Sequence, residues 1–186
     1  TSITPQIVKS YAKGDKKRFF QLIYEAGRYS YFLMFIVAFP IILEADYILK
    51  LWLVKVPVYT VLFTRFVLAI ALYRIIVRST INGVHATGDV KTLNLTSGVY
   101  VACTFLPLIY ILFKCGLPVW SCFIIYAFNG VVCNIFEARA LYKREKFDIL
   151  RYITYVYLHP IAVSMIAAIL PFVIVFTMEE SFLRLV

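Results

Sequence analysis

Arg65, Arg74, Arg78 and His85 are the side chains whose type and spacing could do chemistry in this chain, and that chemistry is recognition of an anion. Arg65 sits well inside a long apolar run, between Phe63-Thr64 and Phe66-Val67. A charge at the centre of a membrane helix costs roughly 2.5–3.5 kcal/mol on insertion scales, so it snorkels to an interface or turns to a cavity or a partner. Further along the run Arg74, Arg78 and His85 recur at i, i+4 and i+11, which a continuous helix places on one side. Such a stripe either decorates a cytoplasmic mouth or binds phosphate, whose oxygens the planar guanidinium donors can pair two at a time. Arg65 is about half a turn out of phase with Arg74, so the two need not meet one ligand together.

The carboxylates are expected at interfaces: Glu44 and Asp46 close one apolar run and Glu137 closes another. His159 stands before Pro160 with no second ligand nearby and reads as a hydrogen-bonded structural residue. Cys103, Cys115, Cys122 and Cys133 show no C-x-x-C spacing and read as small apolar fillers. No metal site and no cofactor is expected. The sequence has no Gly-rich phosphate loop, no H-E-x-x-H, no G-x-S-x-G and no long loop with paired carboxylates. These absences disfavour an enzyme.

The elements that must position these residues are membrane helices. Hydrophobic residues make up 62% of the 186 and charged residues 16%, against about 45–50% and about 25% in ordinary soluble domains. A soluble fold could not hide that much apolar surface. The apolar runs are too long and unbroken for barrel strands, which alternate, and only helices or closed barrels satisfy their backbone groups in hydrocarbon. The expectation is an all-α integral membrane protein, a polytopic bundle of five spans at about 29–49, 58–77, 95–113, 119–136 and 152–177. Residues 1–28 form a cytoplasmic basic segment, 29–178 the transmembrane bundle, and 179–186 the start of a further, truncated segment. Pro40, Pro107, Pro160 and Pro171 fall inside the spans and imply kinks or breaks.

Basic residues divide unevenly between alternate connections. Lys9 to Arg28, Arg78 with Lys91, and Arg139 to Arg151 fall on one side; only Lys50, Lys55, Lys114 and Arg184 fall on the other. The first set is therefore expected in the cytoplasm. A net charge of +9 needs no nucleic acid, because loops facing an anionic leaflet account for it.

Three stretches carry a resemblance. They are Pro5-Gln6-Ile7 followed by Lys9-Ser10-Tyr11-Ala12-Lys13-Gly14-Asp15, then Ile48-Leu49-Lys50-Leu51-Trp52-Leu53 with Pro57, then Ala86-Thr87-Gly88-Asp89-Val90-Lys91. In this order they resemble the Wzx-type polysaccharide (O-antigen) flippases of the MATE/MOP exporter superfamily. Val54 departs from that pattern, which has glycine there. The resemblance implies a fragment of the second lobe of a two-lobe transporter, with the N-terminal lobe as its partner. It implies translocation of a polyprenyl-diphosphate-linked oligosaccharide across a bacterial inner membrane for lipopolysaccharide and related surface polysaccharides. On that basis Arg74, Arg78 and His85 would attract the diphosphate at the cytoplasmic mouth, and Arg65 would meet it further along. A multidrug exporter of the same superfamily, which would want acidic cavity residues, is the alternative, as is a membrane-embedded glycosyltransferase or polymerase.

Overall fold

The computed structural model describes residues 3–53 and 55–177, and every regular element among them is helical. The helices are α1 (Ile3–Ala12), α2 (Lys16–Leu43), α3 (Ala45–Trp52), α4 (Thr60–Ala86), α5 (Val90–Leu93), α6 (Val101–Lys114), α7 (Ser121–Glu145), α8 (Ile149–Tyr152) and α9 (His159–Thr177). Two π-helical stretches, Asn94–Tyr100 and Ile153–Leu158, join α5 to α6 and α8 to α9. Four helices are long and apolar enough to cross a membrane: Lys16–Leu43, Thr60–Ala86, Ser121–Glu145 and Ile149–Val173. The expected third span is also helical, but its apolar part, Gly98–Lys114, is shorter. The chain is an all-α membrane bundle. Glu179, Glu180 and Arg184, with all of 179–186, lie outside the described residues.

The helices run further than the apolar runs on which they were expected. α2 begins at Lys16 rather than near Tyr29, because the Asp15 side chain caps it by accepting from the Arg18 backbone N–H at 3.0 Å. Its 28 residues span about 42 Å at 1.5 Å per residue, more than the roughly 30 Å of a hydrocarbon core. α2 is therefore longer than an upright crossing requires. The expected span 29–49 is broken at Glu44 (φ −93°, ψ 17°), which separates α2 from α3. α4 and α7 continue past their apolar runs to Ala86 and Glu145.

One turn chemistry recurs at the basic end. Gly14 and Gly88 take φ of +74° and +76°, left-handed values that favour glycine, and each is followed by an aspartate, Asp15 and Asp89. After α7, Lys146 takes the same conformation (φ 56°), and Asp148 caps α8 by accepting from the Arg151 N–H at 3.0 Å. In the first resembling stretch Gly14 thus ends α1 and Asp15 starts α2, and in the third Gly88 follows the end of α4.

The π-helical stretch Ile153–Leu158 has a local cause. Pro160 has no N–H to give the Val156 carbonyl, and a widened turn before it absorbs the mismatch. Pro40, Pro107 and Pro171 lie within α2, α6 and α9.

The core is concentrated at the basic end. Ile7, Phe19, Leu22, Ile23, Val84, Leu141 and Phe147 are buried together there, with Tyr152 and Val156 beneath them. Phe147 packs against Phe20, Tyr24 and Tyr152 with ring centroids 5.3–5.6 Å apart. α2 and α4 approach closely because Gly27 and Gly83 lack a Cβ: one added at Gly27 would lie 2.9 Å from Ser79 Oγ of α4, and also 2.6 Å from Val156 Cγ1 of the Ile153–Leu158 stretch, and one at Gly83 2.7 Å from Ile23 Cδ1 of α2. At the other end Phe63 and Phe66 of α4 meet Phe123 of α7 at 5.2 and 5.6 Å. α6 buries none of its residues, and Leu106, Tyr110 and Ile111 are left outward, as befits a helix bathed in lipid.

Candidate functional site

All four candidate residues lie on α4, and the helix sends them two ways. Arg65, near the N-terminal end, is engaged: its Nε donates to the Ile42 carbonyl at 3.1 Å and its Nη2 lies 2.8 Å from Asp46 Oδ2. Ile42 belongs to the last turn of α2, whose carbonyls have no intrahelical partner and form the negative end of the helix dipole. Asp46 sits in the first turn of α3. Arg65 therefore ties the α2–α3 break to α4.

Arg74, near the middle of α4, is exposed on another side, with its guanidinium 5.2 Å from the Tyr126 ring centroid of α7. Arg78 and His85 are exposed as well, and Arg78 makes no hydrogen bond or ion pair among the described residues. The structure thus gathers Arg74, Arg78 and His85 along an exposed face and leaves Arg65 apart from them.

A second cluster was not anticipated. Glu137, expected at an interface, is 1% exposed, because α7 continues for two further turns beyond it and packs on α4. Asn134, one turn earlier, accepts at Oδ1 a hydrogen bond from the Tyr157 hydroxyl at 3.0 Å. The Thr80 hydroxyl donates to the Tyr152 hydroxyl at 2.6 Å, and the Tyr152 ring meets the Tyr157 ring edge-on at 5.5 Å. Glu137 Oε2 and Asn134 Nδ2 have no hydrogen-bond partner. The signal for this cluster was in the sequence: Asn129, Cys133 and Glu137 stand at i, i+4 and i+8 within an apolar run, a polar line down one helix face. Asn129 uses that face to accept the Thr104 hydroxyl of α6 at 2.6 Å. Glu44, also expected at an interface, is buried at the α2–α3 break.

The basic segments meet at one end of the bundle. Tyr11 donates to Glu145 Oε1 at 3.0 Å, Lys16 Nζ lies 2.7 Å from Glu145 Oε2, and Arg144 lies 3.8 Å from Asp89. Burial pushes the Tyr11 phenol above its ordinary range, and its bond to Glu145 adds to that, so it remains a donor at neutral pH. A polar pocket of about 360 Å³ opens beside this end, where Arg28 and Arg151 flank Tyr24 and Glu25. Among the described residues no three His, Cys, Asp or Glu side chains stand close enough to hold a metal ion.

Comparison with protein-family models, curated proteins and solved structures returns no match, so no family is assigned by similarity.

Proposed function

We propose that this chain is part of a flippase that carries a polyprenyl-diphosphate-linked oligosaccharide across a bacterial cytoplasmic membrane for surface polysaccharide synthesis. The observation that carries the proposal is the exposed face of Arg74, Arg78 and His85 on a helix long enough to span the bilayer. An exposed guanidinium near mid-helix is costly against lipid. It calls for a water-filled cavity or a second lobe, and a diphosphate is the ligand that suits two guanidiniums four residues apart. Moving a charged head group through hydrocarbon requires such a cationic, hydrated path, opened alternately to either side by rocking of one lobe against another. On this reading Arg65 serves the α2–α3 break rather than the path, a role its contacts to Asp46 and Ile42 support. The three stretches that resemble Wzx-type flippases add to the proposal, although the Gly14-Asp15 and Gly88-Asp89 pairs have a sufficient explanation in turn chemistry.

The test is polymer export by the full-length protein carrying Arg74→Ala or Arg78→Ala. Both variants should insert normally and lose most export. Full export by both would remove the diphosphate role. Lysine at either position should restore export only in part, because it keeps the charge and loses the paired donors.

The buried carboxylate of Glu137 favours a second reading, an exporter of amphipathic cations from the same superfamily. That protein would bind a lipophilic cation in a manner abolished by Glu137→Gln and indifferent to Arg78→Ala, the reverse of the pattern expected for a flippase.

A further inference from the structure

Glu137 of α7 is buried where α7 packs on α4, beside Asn134, to which Tyr157 of the Ile153–Leu158 stretch donates, and its Oε2 meets no donor. We propose that Glu137 is a proton-binding site, and that the closed packing of α7 on α4 is its proton-loaded state.

A carboxylate without a paired cation or hydrogen-bond donors costs far too much to bury and takes up a proton instead. Apart from the neutral Asn134 amide, each group near enough to stabilise the anion is otherwise engaged. Arg74 of α4 is within electrostatic reach, but no ion pair joins it to Glu137, and its guanidinium lies over Tyr126. Tyr73 faces the site from α4 and packs against Tyr157 at 6.3 Å. Tyr157 donates to Asn134, and Tyr152 accepts from Thr80. Cys133, one turn back on α7, offers only a weak donor. Asp89 and Tyr100 meet α7 elsewhere, at Arg144 and Phe136.

With its proton the carboxyl is neutral, and its second oxygen can accept from Asn134 Nδ2, the other group here without a partner. When the proton leaves for bulk water the anion must be hydrated, and water reaches it only if α7 parts from its neighbours. Proton release and opening of this seam are then one equilibrium, whatever cargo the protein moves.

Cys133 is a built-in reporter, 7% exposed and one turn from Glu137, while Cys115 is exposed in a turn. The full-length protein in membranes is treated with a small neutral maleimide in mildly acidic and mildly alkaline buffer, and peptide mass spectrometry reads modification at both cysteines. Dividing Cys133 by Cys115 removes the common effect of pH on thiols. The wild-type ratio should rise several-fold in alkaline buffer, and Glu137→Gln, which has nearly the same shape and cannot ionise, should hold it flat. A ratio independent of pH in the wild type, or rising equally in both proteins, would overturn the proposal. If Glu137→Gln does not reach the membrane, the infrared spectrum of the wild type decides. A protonated-carboxyl band at neutral pH that fades in step with Cys133 labelling supports the site, and absence of that band overturns it.

Discussion

At the scale of single residues, α4 separates two uses of arginine that composition cannot distinguish. Arg65 reaches a helix-end carbonyl and a carboxylate, whereas Arg74 and Arg78 are turned outward. Their effects on substitution should therefore differ in kind. Arg65→Ala and Asp46→Ala should each lower stability, and the double variant should be no worse than the weaker single one, since either change breaks the same pair. The pair is nearly half exposed on both sides, so the coupling should be about 1 kcal/mol or less. Denaturant titration in micelles measures it, and strictly additive losses would show that the contact is idle. On the proposed flippase reading, export, once scaled for protein amount, should survive Arg65→Ala and fail with Arg74→Ala. Arg65 was legible in the sequence as a charge in need of a partner. Its partner was not, because Asp46 comes within reach only where α2 breaks at Glu44 and turns α3 back toward α4.

At the scale of elements, the bundle depends on how closely α2 approaches its neighbours. A methyl group at Gly27 would press on Val156 Cγ1 and, at 2.9 Å, on Ser79 Oγ. Val156 is fully buried and β-branched, with little freedom to turn aside. At Gly83 the first obstacle is Ile23 Cδ1, the far end of a flexible side chain. Gly27→Ala should accordingly lose about 1–3 kcal/mol, the usual cost of overpacking, and Gly83→Ala clearly less. The thermal midpoint of the detergent-purified protein reads the difference, and equal losses would show that Val156 yields as readily as Ile23. The apolar runs of the sequence fall largely within these helices, and α2, α4 and α7 extend beyond them. Apolar runs report where lipid begins, whereas helix ends are set by capping at Asp15 and Asp148 and by left-handed residues at Gly14, Gly88 and Lys146.

At the scale of the whole molecule, the basic segments are held together at one end by Lys16–Glu145, Tyr11–Glu145 and Arg144–Asp89, and Cys115 lies in the α6–α7 turn at the other. A charged, membrane-impermeant maleimide should modify Cys115 in intact cells, while a cysteine placed by Lys143→Cys should react only after permeabilisation. The opposite result would invert the orientation. What the sequence determined by itself was the solvent and the class of element: 62% hydrophobic residues in long unbroken runs permit only lipid-embedded helices, and the distribution of Lys and Arg sorts their connections into two sides. These are one-dimensional properties, set by how many apolar residues follow one another and which charges flank them. The tertiary structure decided which polar side chains meet. It set Asp46 beside Arg65, sent Arg74 and Arg78 outward, and buried Glu137 where α7 packs on α4. Those pairings depend on helix rotation and crossing, which follow from contacts between residues distant in the chain, such as Gly27 with Val156 and Asn134 with Tyr157.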